Sequence, residues 1–80
     1  MLDADTIIHE ALKRRLGESS LHITMAGGEI SVKPFRKMEA LDLRRKAKEH
    51  GWPLHHGEGY VAVSQWNIET DEASYYVVRE

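Results

Sequence analysis

Two adjacent glycines, Gly27 and Gly28, interrupt an alternating apolar pattern, and this feature constrains the fold more than any other. The apolar positions on either side of them are Leu21, Ile23, Met25, Ile30 and Val32. If the glycines form a tight turn, Met25 lies opposite Ile30 and the other apolar residues follow on the same side. The sequence therefore predicts an antiparallel hairpin over residues 21–35, with Pro34 at the closing end because proline donates no ladder hydrogen bond.

A helix is predicted over residues 38–50, since good helix formers fill it and no proline interrupts it. Gly51 ends this helix, because a glycine there takes the left-handed conformation and Pro53 cannot continue a helix. Ala40, Leu43 and Ala47 form a narrow apolar stripe of small residues. The stripe indicates that the helix lies close against a sheet.

An earlier helix is predicted near the amino terminus, with Asp3 or Asp5 as its cap and Gly17 as its end. Its apolar residues recur at three- and four-residue steps, at Ile7, Ile8, Ala11, Leu12 and Leu16.

After the second predicted helix, residues 54–59 have the composition of a loop, and strands are predicted over residues 60–68 and 74–79. The element order is then α-β-β-α-β-β. The expected fold is α+β with two layers, an antiparallel four-stranded sheet carrying two helices on one face. If the last strand is a sheet edge, its apolar character and scarcity of charge predict a homodimer formed through the second hairpin, by edge pairing or by its aromatic face.

The chain has 80 residues and no cysteine, so one domain over residues 1–80 with a modest core is expected, without disulfides or a thiolate metal site. No apolar run approaches the roughly 20 residues of a membrane span. The acidic amino terminus lacks the features of a signal peptide. We therefore expect a soluble protein of the cytoplasm, with no membrane partner.

The charges are unevenly distributed although the net charge is only −2. Basic residues concentrate at Lys33, Arg36, Lys37, Arg44, Arg45, Lys46 and Lys48. Acidic residues dominate from residue 57 onward, at Glu58, Glu69, Asp71, Glu72 and Glu80. Such an asymmetry steers a charged partner to one face, although a solvated helix face and a solvated loop explain each cluster taken alone.

The residue pattern contains no catalytic signature. His50, His55 and His56 form the densest histidine group, but adjacent histidines on an extended chain point in opposite directions and no cysteine assists them. The serines occupy no nucleophile elbow, and the glycine pairs are too short for a phosphate loop. The expectation is a non-enzymatic protein with no cofactor and no metal.

We expect a partner to bind through the charged helix and an aromatic sheet face, at Arg36, Lys37, Arg44, Arg45, Lys48, Trp66 and Tyr76. The alternative is direct nucleic-acid contact, in which the basic residues grip phosphates and Trp52 or Trp66 stacks on a base. The acidic residues within the helix and the pI near 6.2 weigh against this alternative.

A short cysteine-free chain with a lopsided surface and no catalytic set resembles the small phage-encoded anti-CRISPR inhibitors. The resemblance implies binding to a bacterial host protein or ribonucleoprotein complex and blockage of its access to target DNA. Members of that group share no common motif, so the resemblance assigns no role to any individual residue.

Overall fold

The computed structural model describes residues 3–80, which form two helices and five strands. Their order is α1 (Ala4–Arg14), β1 (Ser20–Ala26), β2 (Glu29–Pro34), α2 (Ala40–His50), β3 (Leu54–Gly57), β4 (Tyr60–Asn67) and β5 (Glu72–Arg79). The strands form one sheet in the order β2-β1-β5-β4-β3, and every neighbouring pair is antiparallel. The expected α+β class and antiparallel sheet are confirmed, but the sheet has five strands where the sequence predicted four.

The first hairpin has the predicted register, with Met25 opposite Ile30 and Ile23 opposite Val32. Both turn glycines have positive φ angles, 57° at Gly27 and 81° at Gly28. Residues with a Cβ atom rarely adopt this backbone conformation, so the two glycines fix the turn and thereby the register.

The additional strand is β3, in the segment that the sequence predicted as a loop. Gly57 pairs with Tyr60, so Glu58 and Gly59 alone form the turn between β3 and β4, and Gly59 has a φ of 81°. The Tyr60 ring lies directly over Gly57, where a Cβ atom would clash with it. A glycine at this position therefore leaves room for the neighbouring ring while β3 pairs with β4.

The two helices lie on opposite faces of the sheet, and the prediction that both cover one face was wrong. Alternate residues of β4 point to different helices, with Tyr60 and Ala62 packed in one cluster and Val61 and Val63 in the other. The α1 cluster contains Ile7, Ile8, Ala11, Leu12, Leu21, Ile23, Tyr60, Ala62 and Val77. The α2 cluster contains Leu43, Ala47, Val61, Val63 and Val78. The architecture therefore has three layers.

The last strand, β5, pairs with β1 on one side and with β4 on the other. The condition for edge pairing, that the last strand lies at a sheet edge, is not met, because β2 and β3 occupy the two edges. A homodimer that pairs through β5 has no open backbone groups there to use.

The first helix begins as predicted, with the Asp3 side chain accepting a 2.8 Å hydrogen bond from the Thr6 amide. It ends earlier than predicted, at Arg14 rather than at Gly17. Leu16 therefore lies beyond the helix, with 78% of its surface exposed, instead of extending the apolar stripe.

Arg79, on β5, caps the carboxyl end of α1. Its guanidinium donates to the carbonyl oxygens of Leu12, Arg15 and Glu18 at 2.7, 2.9 and 2.8 Å. Leu12 belongs to the last turn of the helix, where carbonyls lack intrahelical partners, and Arg15 and Glu18 follow it. The Arg15 carbonyl also accepts from the Glu18 amide at 3.1 Å. A cation here complements the negative end of the helix dipole. At the other end of α1 the Tyr60 hydroxyl donates to the Asp5 carboxylate at 2.5 Å.

Replacing Arg79 with methionine keeps much of the apolar stem and removes all three hydrogen bonds. We expect the free energy of unfolding to fall by about 2 to 3 kcal/mol, because charge-assisted bonds to partly buried carbonyls are lost. Urea denaturation followed by circular dichroism measures the change. The matched control is Arg14→Met, which removes one exposed cation from the same helix and should cost less than about 0.5 kcal/mol. Equal losses in the two variants would contradict the capping role.

Candidate binding surface

Basic side chains from α2 and from the segment before it line one surface groove of about 440 Å³. Its lining residues are Arg36, Lys37, Met38, Asp42, Arg45, Lys46 and Glu49, and we call it the basic groove. The guanidinium of Arg45 lies 3.7 Å from the Asp42 carboxylate, while the other basic residues of the groove form no ion pair within residues 3–80. The groove therefore presents a surplus of positive charge to solvent.

The orientation of α2 follows from its narrow apolar stripe. Leu43 and Ala47 are buried against the sheet, as the sequence predicted, so the charged residues between them face outward. Gly51 ends the helix in the left-handed conformation with a φ of 72°. The Trp52 amide then donates to the Ala47 carbonyl at 2.9 Å, which fixes the tryptophan beside the last turn.

A second cavity, of about 240 Å³, opens between α2 and the sheet and is mostly apolar. Phe35, Arg36, Met38, Leu43, Lys46, Trp52, Val63, Gln65 and Tyr76 line it, and we call it the apolar slot. Arg36, Met38 and Lys46 line both the slot and the basic groove. A partner that reaches into the slot with an apolar group thus meets positive charge at its entrance.

Tyr76 lies in the slot as a half-buried ring held by other aromatic groups. Its ring stacks on the imidazole of His22, with centroids 4.3 Å apart and planes inclined by 3°, and meets the edge of Phe35 at 5.0 Å. The contacts fix the ring, so Tyr76 offers a preorganised wall rather than a mobile anchor.

Two predicted site residues of α2 lie outside the basic groove. Arg44 turns towards the carboxyl terminus and donates to the Glu80 carboxylate at 2.9 Å, and His56 approaches the same carboxylate at 3.0 Å. Lys48 is exposed but does not line the groove. Because α2 begins at Ala40, Lys37 precedes the helix and does not share a helical stripe with Arg44 and Lys48.

Trp66 belongs to a different surface. It points to the α1 side of the sheet, with 65% of its surface exposed, and its Nε1 donates to the Asp71 carboxylate at 3.3 Å. Of the seven predicted site residues, Arg36, Lys37, Arg45 and Tyr76 therefore lie around the α2 cavities, whereas Arg44, Lys48 and Trp66 lie apart from them.

Sequence reasoning did not assign Lys46, Phe35 or Met38 to the site, although Lys46 was visible as part of the basic run. It could not identify the slot, because the slot exists only where the segment after β2 crosses the sheet beside α2.

The three clustered histidines have separate neighbours. The imidazole of His50 stacks on Trp52 with centroids 4.4 Å apart, Nε2 of His55 lies 3.1 Å from the Ser64 hydroxyl, and His56 pairs with Glu80. Within residues 3–80 no group of three or more acidic or histidine side chains is arranged to hold a metal ion.

Burial, together with the charge of Lys33 across the strand, lowers the pKa of the His22 imidazole below its usual 6.5. The folded protein therefore favours the neutral ring, while the unfolded chain takes up a proton near the usual value. The stabilising contribution is present above pH 6.5 and is lost as the pH falls below it.

We expect His22→Phe, which keeps an aromatic ring against Tyr76, to lose less stability than the wild type between about pH 7 and about pH 5. Urea midpoints at each pH measure this difference. Because His56 and His9 remain in both proteins, their ion pairs cancel from the comparison. Parallel pH profiles would show that His22 does not resist protonation.

Neither helix in residues 3–80 is long and apolar enough to cross a membrane. No protein-family model, curated protein or solved structure matches the chain.

Proposed function

We propose that the protein is a small non-enzymatic binding protein that holds an anionic partner in the basic groove and an apolar group of that partner in the apolar slot. The supporting observation is that Arg36 and Lys46 line both cavities. One partner surface that combines negative charge with an exposed apolar side chain would occupy both at once.

The two cavities contribute differently to such binding. The slot is lined by Leu43, Val63 and Tyr76, so an apolar group entering it is removed from water on several sides and supplies most of the affinity. The groove is open to solvent, so its charges mainly raise the association rate and select the orientation of the partner. Although the whole chain is net negative, the local surplus of positive charge favours the approach of an anion to the groove.

In its narrower form, the proposal is that the partner is a bacterial defence complex of the CRISPR–Cas type and that binding blocks its access to target DNA. This form rests on the resemblance to phage-encoded inhibitors. A ribonucleoprotein offers the expected chemistry, since it combines anionic surface with protein side chains, and the inhibitor would act in the cytoplasm of the host cell.

The test pairs two charge reversals of equal size. Arg45→Glu with Lys46→Glu changes the basic groove, and Lys13→Glu with Arg14→Glu changes exposed positions on α1 at the opposite face. Target-DNA binding by a panel of purified, guide-loaded CRISPR effector complexes is measured with and without each protein. We expect wild type and the α1 variant to inhibit one complex of the panel, and the groove variant to be weaker by about tenfold or more.

Circular dichroism melts establish that both variants fold. Inhibition that survives in the groove variant would remove the basic groove from the proposal, and no inhibition of any complex would overturn the CRISPR form of it.

The second candidate function is a nucleic-acid-binding regulator that uses the same surface. The observation in its favour is that Trp52 lines the slot beside Lys46, which would allow a base to stack while phosphates meet the groove. Fluorescence anisotropy with single- and double-stranded DNA and RNA tests it. Direct binding should weaken with salt, and Lys46→Ala should reduce the slope of log affinity against log salt by about 1.

A further inference from the structure

One half of β4 has no neighbour on its outer side. β3 pairs with β4 only from Tyr60 to Val63, whereas β4 continues to Asn67. The Ser64 amide donates to the Pro53 carbonyl at 3.2 Å, and this is the last backbone contact on that side within residues 3–80. Residues 65–67 therefore pair with β5 alone and form an open edge beyond the end of β3.

The backbone of Trp66 faces this open position. Successive residues of a strand direct their amide and carbonyl groups to opposite sides, and those of Ser64 point towards Pro53. Trp66 is two residues further on, so its N–H and C=O also point outward, away from β5. Such groups are a template for an additional strand.

An aromatic cleft of about 610 Å³ accompanies the open edge. Trp52, Pro53, Ser64, Gln65, Trp66, Ala73 and Tyr75 line it, and we call it the edge cleft. A strand added beside residues 65–67 would place alternate side chains against the exposed Trp66 ring, which supplies apolar and cation–π contact.

The charge around the edge cleft is negative. A shallow depression of about 480 Å³ continues from Trp66 and Gln65 to Glu69 and Glu72 at the tip of the hairpin. Asp71 accepts from the Trp66 indole in the same turn. Within residues 3–80 none of these three carboxylates forms an ion pair. An extended segment that carries lysine or arginine complements this surface.

We propose that the open edge of β4 binds an extended, basic segment of a protein partner as an added antiparallel or parallel strand. A second copy of the chain fits less well. If two copies paired antiparallel over residues 65–67, the turn that follows Asn67 in each copy would meet Pro53 of the other. This surface differs from the basic groove in position and in the sign of its charge, so the inference goes beyond the proposed function.

The test uses the full chain and a synthetic peptide about eight residues long. Every second residue of the peptide is lysine, and the residues between are threonine or valine. A second peptide carries glutamate in place of lysine. Fluorescence anisotropy measures affinity, and hydrogen exchange followed by NMR measures protection of the Trp66 amide. We expect the lysine peptide to bind, more weakly as salt rises, and to slow exchange of the Trp66 amide by at least about tenfold at saturation.

Two charge-reversal variants distinguish a specific role of the acidic hairpin tip from an effect of net charge. Glu69→Lys should weaken the lysine peptide severalfold, whereas Glu58→Lys makes the same change in net charge at the turn before β4 and should have little effect. Both positions are exposed, so both variants should keep the wild-type melt.

Three results would overturn the proposal. The first is equal affinity for the two peptides, and the second is binding without protection of the Trp66 amide. The third is a doubled solution mass with protection of that amide in the absence of peptide, which would make a second copy the occupant. A basic-groove variant that binds the peptide normally would show that this surface acts independently of the function proposed above.

Discussion

Burial of β4 and β5 on both faces is the constraint on which the rest of the structure depends. Both strands contain consecutive buried apolar residues, Val61 to Val63 in β4 and Val77 with Val78 in β5. Apolar side chains therefore project from both faces of the sheet, and each face needs a helix to cover it. The carboxyl end of β5 forms hydrogen bonds with both helices. Arg79 turns to one face and holds the end of α1, and Glu80, the next residue, accepts from Arg44 of α2 on the other.

The parts of the fold that could be predicted are those determined by neighbouring residues. The glycine pair fixes the first hairpin, Asp3 caps α1, and Gly51 ends α2, because each acts through its own backbone or within about one turn. The placement of the helices was wrong although its signal was present. A run of apolar residues without alternation indicates a strand buried on both sides, whereas we expected one covered face.

The candidate surface, like the fold, combines features that neighbouring residues determine with features that distant contacts determine. The basic cluster was visible in the sequence, but which of its members remain available depends on contacts far along the chain. Arg44 is engaged by Glu80, 36 positions away, and Tyr76 is held by His22 on the adjacent strand β1. β3 was missed for a related reason. Its two adjacent histidines and flanking glycines have loop composition, and only pairing with β4 makes the segment a strand.

The two surfaces meet at two residues. Trp52 lines both the apolar slot and the edge cleft, and Gln65 does so as well. The Trp52 ring stacks on His50 and its amide is bonded to the last turn of α2, so the wall that the two cavities share is held in place. A sheet with a helix on each face thus presents surfaces of opposite charge that share one rigid aromatic wall.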